Sequence, residues 1–163
     1  MPQKKRSEEP KLIRHFVFIE APIDIVAELA LDWGRPIWWP KDIGMNYAAV
    51  ADMPLAEGRT YRIQFVNILR LTLSARVAQY LAGRQIEHQF ISGILRGGQT
   101  ITLEERSNGT RVDIVTWPRA HGFFNTLLWK VFFVGAYNRW IDRILATIKG
   151  YSETIFNERR ETV

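Results

Sequence analysis

Three histidines and no cysteine bound the chemistry open to this chain. His88 is the strongest candidate. It alternates in phase with Ile86 and Phe90 against Gln85, Glu87 and Gln89, so its side chain belongs to the inward face of a strand. An inward imidazole needs hydrogen-bond partners, and it can orient a ligand carbonyl or serve as a general acid or base. A satisfied core histidine is the plainer reading. No second ionisable residue shares that face unambiguously, so no acid–base pair assembles from sequence. His15 and His121 stand alone, without paired-carboxylate or H-x-x-x-H spacing, so no metal site is expected. Without cysteine there are no disulfides, thiolate zinc sites or cysteine nucleophiles. A nucleophile elbow, a P-loop and a dinucleotide fingerprint are also missing.

Binding is easier to assemble. Tyr61, Phe65, Leu71, Leu73, Phe90 and Thr116 fall on inward strand phases, where they form either core or cavity wall. Tyr61 and Thr116 are the polar handles of that set, since ligand cavities are mostly apolar with a few placed polar groups. Trp33, Trp38 and Trp39 carry too much apolar area to leave in water. Either they plug one end of the core or at least one, Trp33 or Trp39, lines a pocket mouth. Tyr137 and Asn138 could add a handle from the last helix.

The elements that must position these residues follow from pattern. Leu12 to Glu20 reads as a strand apolar on both sides, Ile13, Val17 and Ile19 against Leu12, Phe16 and Phe18, which predicts cover on both faces. Pro22 opens a short amphipathic helix to Leu31. Gly34, Pro36 and Pro40 then allow only a turn and a second short helical piece. Strands follow over 45–51, 59–66, 69–77, 84–91, 99–106 and 110–117, with Gly97 and Gly98 in a loop and Pro118 as terminator. Asn108-Gly109 is the strongest hairpin signal, both residues accepting positive φ. Hairpin-length connections make the sheet antiparallel and the class α+β.

A long helix from about His121 to Asn157 closes the chain. Phe124, Leu127, Leu128, Val131, Val134, Ile141, Leu145, Ile148 and Ile155 recur at helical spacing and predict its buried stripe. Phe123, Trp129, Phe132, Phe133 and Tyr137 lie off that stripe, so residues 123–140 are apolar nearly all round. Loop cover, a self-association face and shallow membrane contact are the three outcomes open to them.

The chain has 163 residues, 47% of them hydrophobic, and a net charge of +5. That suits one domain with a real core. Outside Lys4-Lys5-Arg6 and Arg159-Arg160 the basic residues are scattered, with no stripe interleaving exposed aromatics, so no nucleic-acid partner is expected. Residues 1–10, charged and lacking an apolar core, read as a disordered basic tail rather than a secretory signal, and 158–163 as a charged tail.

Several stretches in this order resemble the START-like superfamily, also called the SRPBCC or Bet v 1-like group. Ile19-Glu20-Ala21-Pro22-Ile23-Asp24-Ile25-Val26 is similar to its opening, Trp38-Trp39-Pro40 to its tryptophan-rich segment, and Glu57-Gly58 and Asn108-Gly109-Thr110-Arg111-Val112 to its recurring turns. The resemblance spans roughly residues 12–156 and implies a helix-grip fold: a curved antiparallel sheet of six to seven strands around a long C-terminal helix, with two short helices after the first strand. It implies a ligand-binding domain over 11–157 that carries or senses a hydrophobic molecule such as a lipid, quinone or polyketide-like aromatic, without a cofactor. The enzymatic alternative is a cyclase or dehydratase with His88 as proton shuttle and Tyr61 as donor; an interaction module through 123–140 is the third. The expected location is cytoplasmic, or peripheral to a membrane, and a homodimer is the alternative use of the apolar face.

Overall fold

The computed structural model describes residues 11–35, 37–66 and 70–162. The basic tail expected over 1–10, Pro36, Leu69 of an expected strand and the terminal Val163 lie outside the described residues. β1 (Ile13–Ile19) leads into α1 (Ile23–Ala30). Six strands follow: β2 (Met45–Ala49), β3 (Thr60–Phe65), β4 (Thr72–Leu81), β5 (Gln85–Ser92), β6 (Leu95–Arg106) and β7 (Gly109–Ala120). The chain closes with α2 (Phe123–Leu128), a π-helical turn (Trp129–Phe133) and α3 (Val134–Glu161).

All seven strands form one antiparallel sheet in the order β1-β7-β6-β5-β4-β3-β2. The order follows from chain chemistry: every neighbouring pair from β2 to β7 is consecutive in sequence, and only β1 returns from afar to pair with β7. Irregular register between β4 and β5, at Ser74/Ala75 and Val77/Gln79, bends the sheet into a curled half-barrel. The long helix lies in the curl, against β1 and α1. Pro22 precedes α1 with an extended backbone, φ −58 and ψ 151, and loses nothing by lacking an N–H there.

Several expectations are corrected. The second short helical piece is instead a pair of turns at Trp33–Gly34 and Ile37–Trp38. β1 is covered on one face only: Leu12 and Phe16 point to solvent, with the Arg111 guanidinium 4.7 Å above the Phe16 ring. β6 starts at Leu95 and takes in Gly97 and Gly98; a Cβ on Gly97 would lie 1.9 Å from the Trp117 carbonyl oxygen, so glycine is what allows the strands this close. β7 runs through Pro118 to Ala120, because β1 pairs with it only as far as Thr116 and leaves one edge open beyond. The Asn108-Gly109 hairpin forms, but its turn residues are Ser107 and Asn108, and neither Asn108 nor Gly109 takes a positive φ. Gly109 serves closeness instead, since a Cβ there would meet the Ile19 carbonyl oxygen at 2.2 Å.

The largest correction concerns the closing helix. Val134 N–H bonds the Trp129 carbonyl five residues back, so this turn holds one residue more than an α turn. From α2 through the first turns of α3 the buried face departs from the expected stripe. Trp129, Phe133, Ala136, Tyr137 and Trp140 are buried, while Phe124, Leu127 and Val131 are exposed. Downstream, Ile141, Leu145 and Ile148 are buried as expected, joined by Ile144. The helix continues to Glu161, absorbing most of the expected charged tail. Lys149 Nζ donates to the Phe18 carbonyl at 3.0 Å, and Glu153 accepts from the Glu20 N–H at 2.9 Å, fastening α3 to the end of β1.

Candidate ligand site

Between the concave face and the helix lies an apolar cavity lined by Trp33, Met45, Tyr47, Ile63, Phe65, Leu73, Phe90, Leu95, Gln99, Tyr137 and Ile141. Its volume open to a water centre is about 20 Å³, room for about one water. The receptacle expected between sheet and rod is therefore mostly filled by side chains. Phe65 is the meeting point: Phe133 packs edge-on against it at 5.2 Å and Trp140 stacks on it at 5.4 Å. Trp129 packs on Tyr137 at 5.8 Å and parallel to Phe133 at 6.1 Å. The rings of the π turn thus back two cavity walls on the side of the exposed α2.

One polar relay faces this space. Tyr137 Oη donates to Gln99 Oε1 at 2.9 Å, which leaves Thr116 Oγ1 as donor to Tyr137 Oη at 2.6 Å. Burial raises the Tyr137 pKa above its ordinary value, so the phenol stays neutral. Gln99 pairs across the strands with both His88 and Thr116, which puts all three on the inward face.

His88 stands one layer back. Its side chain is fully buried, with Nδ1 3.3 Å from Tyr47 Oη and its ring edge-on to Tyr61 at 5.4 Å. With Tyr47 donating, the imidazole proton sits on Nε2, which has no protein partner. Desolvation pulls its pKa from 6.5 down to about 4, against a weaker opposing pull from the Asp32 charge. The imidazole is neutral at pH 7. Burial likewise raises Tyr47 well above the usual phenol range. No ionised group lines the apolar cavity.

Tyr61 joins a different network. Asp32, buried beneath the tryptophans, accepts from Tyr61 Oη at 3.2 Å, Arg59 Nη1 at 3.1 Å, Arg35 Nε at 3.2 Å and the Gly34 N–H at 3.2 Å. Burial first, and the Asp32 charge second, raise the Tyr61 pKa. This cluster floors an open groove of about 770 Å³ walled by residues 48–55. Trp33 and Trp39 pack at 5.7 Å and both meet Tyr47, at 5.5 and 5.8 Å, dividing groove from cavity.

Of the residues expected to form a site, Trp33, Phe65, Leu73, Phe90 and Tyr137 come together on the cavity wall. Trp39, Tyr61, His88 and Thr116 are buried one layer behind. Asn138 goes elsewhere: its Oδ1 lies 3.1 Å from His15 Nε2, on the β1 side. Helical geometry is the reason, because adjacent helix residues point about 100° apart and only Tyr137 faces inward. Tyr47, Gln99, Asp32 and Arg59 were not foreseen. Gln99 and Arg59 had a signal, each a polar residue in phase with inward neighbours, Ile101 and Leu103 for Gln99 and Tyr61 and Ile63 for Arg59; Asp32 lies outside regular periodicity and had none.

No protein-family model matches the chain, and no curated protein matches it in sequence. Solved structures do match. Protein CV1439 from Chromobacterium violaceum is 20% identical, with a TM-score of 0.62 over 88% of this chain and 99% of that one. Ara h 8.0201 is 10% identical, with a TM-score of 0.67 over 88% and 98%. Aha1 from Colwellia psychrerythraea, solved as a dimer, is 18% identical, with a TM-score of 0.62 over 88% and 96%. At these identities the likeness is one of fold. The fold they share with this chain is the helix-grip architecture, a curled antiparallel sheet with a long C-terminal helix.

Proposed function

We propose that the protein carries or senses a neutral, largely apolar small molecule, such as a lipid, quinone or polyketide-like aromatic, held between the sheet and the closing helix. The observation that carries this reading is the composition of the cavity wall. It is apolar apart from Tyr47 and the Gln99–Tyr137 pair, a hydrogen-bonding handle that bears no charge. An uncharged ligand with one carbonyl or hydroxyl suits it. Ligand cavities run to about 300–1,000 Å³, so the molecule enters only when Phe133 and Trp129 move aside. Their place in a π turn, next to a helix with no buried residue, supports that movement. Binding is preferred to turnover because His88 stands behind Tyr47, whose phenol stays neutral, and has no charged partner on the cavity wall.

Native mass spectrometry of the purified protein, with organic extraction, tests this. An apolar molecule bound one to one is expected, with Phe133→Ala taking up more of it. Protein that leaves purification empty, and binds no fatty acid, quinone or aromatic polyketide even as Phe133→Ala, would remove the reading. A second reading has its own support: exposed apolar side chains along α2 and the π turn favour a contact surface there, for a second copy or a membrane.

A further inference from the structure

We infer that α2 and the π turn seat the protein on an anionic bilayer, with Phe123, Phe124, Leu127, Val131 and Phe132 entering the boundary between headgroups and acyl chains. The inference rests on residues 123–140 being a contact surface and names what that surface meets. Phe123 is 87% exposed, Phe124 69%, Val131 61%, Phe132 57% and Leu127 50%. α2 has only six residues and none of them is buried. It is the free end of the closing helix, running on without a break through the π turn into α3, and its apolar side chains are left uncovered where those of α3 are buried.

Charge decides between the candidate partners. From Val115 to Ile141 the chain has no acidic residue, while Arg119, Lys130 and Arg139 fall in that span and all are exposed. Arg96, also exposed, pairs in register with Arg119 at the strand end from which the chain enters α2. Exposed phenylalanine, leucine and valine in a stretch whose only charges are lysine and arginine is the pattern of an interfacial anchor. Each basic group near an anionic surface adds attraction, without any specific headgroup. A second copy fits poorly. Two-fold pairing would set one basic patch against another, with no carboxylate between Val115 and Ile141 to compensate. No helix among the described residues is long and apolar enough to cross a membrane, so the contact is shallow.

Co-sedimentation of the full chain with phosphatidylcholine vesicles, alone and mixed with phosphatidylglycerol, tests the inference, alongside light scattering. Phe124→Ser/Val131→Ser alters side chains that are already exposed and leaves the fold intact. Binding is expected to the mixed vesicles, weakened by salt, at least about tenfold weaker in the double variant, and reduced in Lys130→Glu. Equal binding to phosphatidylcholine alone, or double-variant binding at the wild-type level, overturns it. A dimer that the double variant dissolves, without vesicle binding, overturns the bilayer and keeps the contact surface. A monomer that binds no vesicles removes both.

Discussion

Tyr47 Oη lies 3.3 Å from His88 Nδ1, and both side chains are buried between the tryptophans of the 33–39 turn and the strand face. Tyr47 lines the cavity and His88 does not. The imidazole therefore acts on the cavity through the phenol, by fixing where its oxygen points. The same burial that makes it a poor base makes it a pH-sensitive part of the fold.

The His88 pKa is about 4 in the folded chain against 6.5 ordinarily. Between those values the unfolded chain takes up a proton that the folded chain refuses. Stability from this residue is thus complete above about 6.5 and declines as pH falls toward 4, by on the order of 3 kcal/mol. Urea unfolding across that window should show the decline, and His88→Gln should flatten it. An unchanged slope in the variant would assign the decline to other groups.

Asp32 and Arg59 form a buried ion pair at 3.1 Å. Asp32→Asn leaves the Arg59 charge under-compensated in the interior, and a loss of about 3–5 kcal/mol is expected. Adding Arg59→Met should return part of it, so that the double variant is less damaged than the two single losses predict. Additive losses in denaturant melts would show that the pair is not coupled.

Tyr137→Phe removes the donor to Gln99 and the acceptor for Thr116 while keeping the ring. A cost of about 1–3 kcal/mol is expected, because two buried groups lose their partner. Ligand retention, read by native mass spectrometry, should fall with it. Full stability together with full retention would show that the relay matters to neither.

Two glycines give opposite expectations. At Gly150 an added Cβ meets nothing within 4 Å, so Gly150→Ala should stabilise the helix by up to about 1 kcal/mol. At Gly109 the Cβ would stand 2.2 Å from the Ile19 carbonyl oxygen. The strands must part to admit it, and Gly109→Ala should cost about 1–3 kcal/mol. Thermal unfolding of both variants checks the pair.

Period-two alternation made Tyr61, Phe65, Leu73, His88, Phe90 and Thr116 readable as inward residues, and all six are buried. A strand's facing depends on counting by twos, which is local, so sequence alone determined that layer, the antiparallel sheet and the helix that lies in it. Which of the six touch the cavity depends on how far Tyr47 and the tryptophans intrude, a matter of distances across the sheet. The facing of the last helix ahead of Val134 was not legible either. Apolar residues surround it there, so nothing in the pattern marks a preferred side, and a single backbone bond from Val134 to Trp129 sets which rings turn inward. That bond, the ion pair beneath the tryptophans and the near-closure of the cavity join residues far apart in the chain or depend on packing between layers. Only the tertiary structure could decide them.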